Sequence, residues 1–117
     1  MDEMKYRQVG EMMAPELYLP EQPEGELGKY GRARLQFLQE HKLLLHQQLL
    51  TSGQLKAHLL AIQQSATERM ELLTAQMAEA QGVTEELKTR DQMDWLGRMN
   101  NIRHSAEEQV MRELVNS

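Results

Sequence analysis

Beyond residue 29 the apolar positions of this chain recur at helical spacing. Leu55, Leu59, Ile62, Ala66, Met70, Leu73, Met77 and Ala80 fall within roughly 80° of arc at 100° per residue. They predict a helix over Gln54–Gln81 with one narrow buried seam. Trp95, Leu96, Met99, Ile102, Ala106, Val110 and Leu114 cover roughly 120° and predict a last helix over Gln92–Val115. A first long helix is expected over Tyr30–Ser52, and its pattern differs. Leu35, Leu38, Leu45 and Leu49 make one face, Phe37 and Leu44 point away from it, and Leu43 and Leu50 point to a third side. A helix that is apolar on most sides needs more than one neighbour. It is expected to be either the centre of the bundle or a surface for another molecule.

Punctuation agrees with the periodicity. Gly53 and Gly82 stand where left-handed residues close helices. Thr84 and Asp91 suit N-caps, and Glu85 and Glu86 suit the positive end of a short helical turn over residues 83–90. Pro20–Gly28 reads as an extended acidic spacer. Residues 1–19, interrupted by Gly10 and Pro15, read as a short strand or turn-like arm. The expected architecture is all-α: residues 1–28 as arm and spacer, then 29–117 as a bundle of three long helices and a short helical turn.

Composition supports that class. Leu, Met, Ala, Gln and Glu dominate and lose little on entering a helix, while aromatic residues are only 4%. The chain has no cysteine, which removes disulfide and thiolate-metal chemistry. No apolar run approaches the ~20 residues of a membrane span, and the acidic first residues lack the apolar core of a secretory signal. A cytoplasmic location, without membrane partners, is the expectation.

Charge is unevenly spread. Residues 1–28 hold seven acidic and two basic side chains, whereas 29–52 hold four basic and one acidic, within a total of −5. The basic group, Lys29, Tyr30, Arg32, Arg34 and Lys42, is the candidate nucleic-acid contact, since phosphates need several cations on one surface. On the wheel they do not converge: Arg34 and Lys42 flank the leucine face, and Lys29 and Arg32 lie elsewhere. The switch from acidic spacer to basic helix suits an arm that folds back on its own cationic neighbour.

Other chemistry is sparse. His41 and His46 are five apart and share no helix face, and the HExxH and ExxH spacings of metal sites are absent. No nucleophile elbow, P-loop or dinucleotide fingerprint occurs. No enzyme activity, cofactor or metal is expected. Candidate protein-interface residues are Phe37, Leu43, Leu44 and Leu50, with Met12 and Met13 of the arm.

Four stretches together carry a resemblance: YRQVGEMMAPELYLPEQPEG, GKYGRARLQFLQEHK, LLTSGQLKAHLLAI and GVTEELKTRDQMDWLGRMNNIRHSAEEQVMRELV. Spread over nearly the whole chain, they resemble the TnpV family, small proteins encoded on transposons and integrative conjugative elements. The resemblance implies a place on a bacterial mobile element and brings no catalytic or ligand residues with it. The leading expectation is a non-enzymatic accessory protein that binds another protein, host or element-encoded, with a homodimer through the first long helix as one form. One alternative is a DNA- or RNA-binding factor using the basic cluster. Another is an acidic inhibitor, anti-CRISPR in kind, that occupies the cationic channel of a defence effector.

Overall fold

A computed structural model of the chain describes Pro23 and residues 25–117. The arm expected over residues 1–19, including Met12 and Met13, and Pro20, Glu21, Gln22 and Glu24 of the acidic spacer lie outside the described residues. The described helices are α1 (Lys29–His41), α2 (Leu43–Ser52), α3 (Leu55–Ala80), α4 (Glu85–Arg90) and α5 (Gln92–Val110), and α5 runs on into a π-helical turn, Met111–Val115. Among the described residues there is no strand, and the chain is all-α.

The helix ends form where the sequence placed them. Gly53 (φ 76°) and Gly82 (φ 70°) adopt the left-handed conformation. Gln54 N–H donates to Leu49 O at 2.9 Å and Val83 N–H to Ala78 O at 2.8 Å, each backed by a shorter loop from the glycine itself. These paired bonds satisfy carbonyls that a helix end otherwise leaves open. Thr84 Oγ1 accepts from Leu87 N–H at 3.3 Å, and Asp91 Oδ1 accepts from Asp94 N–H at 3.1 Å. Gly53 therefore makes a hairpin, with α1 lying back along α3.

The expected single helix over Tyr30–Ser52 is broken at Lys42, whose φ of −136° and ψ of 54° are not helical. Pairing geometry shows why. Arg34, 19 residues before Gly53, hydrogen-bonds His58, only five residues after it. A straight helix folded at Gly53 would place Arg34 about 20 Å further along α3, at a rise of about 1.5 Å per residue. The chain has to leave the axis of α3 between the two, and α2 is the segment that does so.

Two further expectations change. The helix that meets the most other elements is α3, which contacts α1, α2, α5 and the π turn, while Ala80 and Leu96 of the two long seams stay exposed. The last helix widens after Val110, and Asn116 N–H reaches back five residues to Met111 O at 2.7 Å.

Packing follows from these placements. Arg69 of α3 meets Glu113 of the π turn at 3.4 Å, so the last helix runs antiparallel to α3. Lys29 at the start of α1 pairs with Glu107 and Arg34 with Val115, so α1 and α5 run parallel. One core cluster joins Ala66 and Leu73 to Ala106, Val110 and Val115, with Tyr30 and Ala33 of α1 against it. A second, under α4, joins Val83, Leu87, Met99 and Ile102.

The closest approach of α1 to α3 rests on glycine. Gln63 of α3 accepts from Gly28 N–H through Oε1 and donates through Nε2 to Glu26 O at 3.2 Å. A Cβ on Gly31 would stand 2.7 Å from that Oε1 and 2.9 Å from Leu27 Cδ2. Gly31→Ala removes a flexible residue from a helix, which alone stabilises by up to about 1 kcal/mol. Displacing Gln63 from two hydrogen bonds costs about 1–3 kcal/mol. Urea denaturation of Gly31→Ala is therefore expected to show a net loss of up to about 3 kcal/mol. In a Gln63→Ala background the same change is expected to be neutral or stabilising. Equal effects in both backgrounds would contradict this account of the contact.

Candidate functional site

The basic cluster of α1 is placed residue by residue. Lys29 pairs with Glu107, and that bond to the carboxylate is the main reason its pKa is raised above 10.5. Arg32 turns back to the spacer and donates to Leu27 O at 2.5 Å. Tyr30 packs against the core, and burial raises the pKa of its phenol. Arg34 is only 6% exposed. Its Nη1 donates to the carbonyl oxygens of Val115 at 3.0 Å and Ser117 at 2.8 Å, its Nε to His58 Nε2 at 3.2 Å, and its guanidinium lies 5.6 Å from the Phe37 ring. The structure thus spreads the cluster over separate partners, and leaves Lys42 exposed at the break. The sequence pattern did not single out Arg34 as an internal clasp or Gln63 as the α1 seat. The Gly28–Gly31 spacing was the signal for the second.

Apolar surface collects on α2. Leu43, Leu44 and Leu50 are 60%, 73% and 53% exposed. At 100° per residue they share roughly 120° of one side with Gln47 and Thr51. The opposite side, Leu45, His46 and Leu49, turns inward. LLLHQQLLTS contains no Asp, Glu, Lys or Arg, in a chain that is 26% charged. The helix also has no side-chain cap at Lys42 and no acidic residue in its first turn. Buried His46 leaves Nδ1 without a hydrogen-bond partner, a cost of about 1–3 kcal/mol. What holds α2 to its own chain is its inward side and the glycine closure at Gly53; its outward side makes no such contribution. Its exposed side has the charge-poor, apolar make-up of an interface core. Phe37, the remaining apolar candidate, is half-buried between Arg34 and His41 on α1 and does not join this face.

Elsewhere the surface offers little chemistry. An open groove of about 860 Å³ is lined by Lys29 of α1, by His104, Glu107 and Glu108 of α5, and by Met111 and Arg112 of the π turn. Its carboxylates Glu107 and Glu108 are paired to Lys29 and, at 3.5 Å, to His104. Among the described residues no three His, Asp or Glu side chains are grouped to hold a metal ion. No described helix is long and apolar enough to cross a membrane.

The family model described as "Transposon-encoded protein TnpV" matches residues 5–115. No curated protein and no solved structure matches the chain.

The Arg34–His58 contact has a pH consequence. To accept from Arg34 Nε, His58 must be neutral with Nε2 unprotonated. Burial, and then the charge of Arg34, holds the imidazole below its ordinary pKa of 6.5. The unfolded chain therefore binds the proton first as pH falls. The stabilisation is whole above about 6.5 and is lost as pH falls through the lower folded-state value. Thermal unfolding between about pH 7.5 and 5 is expected to show a steeper fall in Tm for the wild type than for His58→Gln. The glutamine carbonyl can accept from Arg34 without titrating. Parallel curves would show that His58 does not govern this part of the pH profile.

Proposed function

The chain belongs to the TnpV family of transposon-encoded proteins, and on that premise we propose that it is a non-enzymatic accessory protein of a mobile genetic element that acts by binding protein through α2. The observation that carries this reading is the uncharged face of Leu43, Leu44 and Leu50, each more than half exposed. An apolar patch of this kind costs solubility, and its retention fits a surface that is covered in use. The other exposed large apolar residues stand among charges: Met93 and Leu96 sit beside the Asp94–Arg98 ion pair, and Leu72 lines a shallow site with Glu68 and Arg69.

A tagged full-length chain, expressed in cells that carry the element, is expected to retain one or more proteins through this face. Leu43→Glu with Leu50→Glu should release them, and Lys42→Ala should not. Identical protein sets for all three chains would contradict the reading. Fluorescence anisotropy with duplex and single-stranded DNA supplies the counter-test. Binding that weakens steeply with salt and survives the double leucine change would assign the function to cations instead.

A further inference from the structure

We propose that the protein bound by the α2 face is a second copy of this chain, in an antiparallel α2–α2 pair about a two-fold axis. The proposal rests on the protein-binding reading of α2 and names its partner.

The face is complementary to itself. A two-fold interface brings residue i of one copy to j of the other and j to i, so any charge on it faces a charge of its own sign near the axis. α2 contains no Asp, Glu, Lys or Arg, and its one histidine, His46, is on the inward side. Leu43 and Leu50 lie seven residues apart on one side of the helix, about 10 Å along its axis. With the helices antiparallel, Leu43 of each copy packs on Leu50 of the other. The midpoint of that pair falls beside Gln47, which is exposed on the same arc. A glutamine amide has both donors and an acceptor, so two Gln47 side chains across the axis can satisfy one another.

Global charge permits the approach. The −5 of the chain resides in residues 1–28, and residues 29–117 carry eleven basic and eleven acidic side chains. The two bundle regions therefore bring no net charge of their own to the contact. The departure of α2 from the axis of α3, forced by the Arg34–His58 register, presents the face clear of the bundle.

The area sets the strength. A stable specific dimer buries about 1,200–2,000 Å² in total. A ten-residue helix, about 15 Å long, contributes less than that. The expected association is in the micromolar range, with the mass rising between roughly 1 and 100 µM.

Sedimentation equilibrium of the full-length chain over that range reads this directly. The wild type is expected to move from monomer toward dimer mass. Leu43→Glu with Leu50→Glu places like charges at both contacts and is expected to stay monomeric. Leu43→Glu with Leu50→Lys places opposite charges together only in the antiparallel arrangement, and is expected to dimerise with an affinity that weakens in salt. Both residues are exposed, so the core is untouched, and circular dichroism checks that each variant is helical. A wild type that stays monomeric at about 100 µM, or a dimer that both variants leave unchanged, overturns the proposal. A monomeric Leu43→Glu/Leu50→Lys chain overturns the antiparallel pairing. A monomer whose α2 face still retains another protein would remove the second copy and leave the protein-binding reading standing.

Discussion

The guanidinium of Arg34 fixes where three segments of this chain meet. It belongs to α1, it donates to His58 near the start of α3, and it donates to the main-chain oxygens of Val115, the last residue of the π turn, and of Ser117 after it. Hydrogen bonds from a charged group contribute about 1.5–3 kcal/mol each, against about 0.5–1.5 for neutral ones. A cation placed in a core without such partners costs several kcal/mol. The arrangement is therefore self-enforcing: Arg34 can be buried only where all three segments are in register. The widened turn Met111–Val115 brings carbonyl oxygens to it, and Val115 itself is fully buried beside that contact.

Register at Arg34 has a consequence at the far side of the molecule. By joining residue 34 to residue 58 it shortens the return path along α3, and the chain between them cannot run straight. The helix breaks at Lys42, and α2 turns outward with Leu43, Leu44 and Leu50 on its open side. The interaction surface is thus a product of the bundle's internal geometry. The Gln63 contact with Gly28 reinforces the same register about one and a half turns further along α3, where Gly31 leaves room for the side chain.

Much of this fold was legible because it rests on local chemistry. Gly53, Gly82, Thr84 and Asp91 act within a few residues of themselves, and the α3 and α5 seams follow from spacing alone. The excess of leucine on the first helical segment also pointed to α2. The break at Lys42 was not legible, because it depends on a contact between residues 24 apart in sequence. Arg34 read as a surface cation for the same reason: its partners are backbone carbonyls more than 80 residues away, which no side-chain pattern reveals. The exposure of Ala80 and Leu96 shows the complementary limit, since a stripe says which side faces inward and not how far along the helix a neighbour extends.

Amide hydrogen exchange of wild type and Arg34→Met, read by mass spectrometry, tests the clasp most directly. Methionine keeps much of the arginine stem's apolar volume and removes the donors. The account predicts a joint loss of protection in α1, at the start of α3 around His58, and in residues 111–116, with the Val83–Leu87 region under α4 unchanged. Loss confined to residues 111–116 would contradict it, and would reduce Arg34 to a local cap on the last turn.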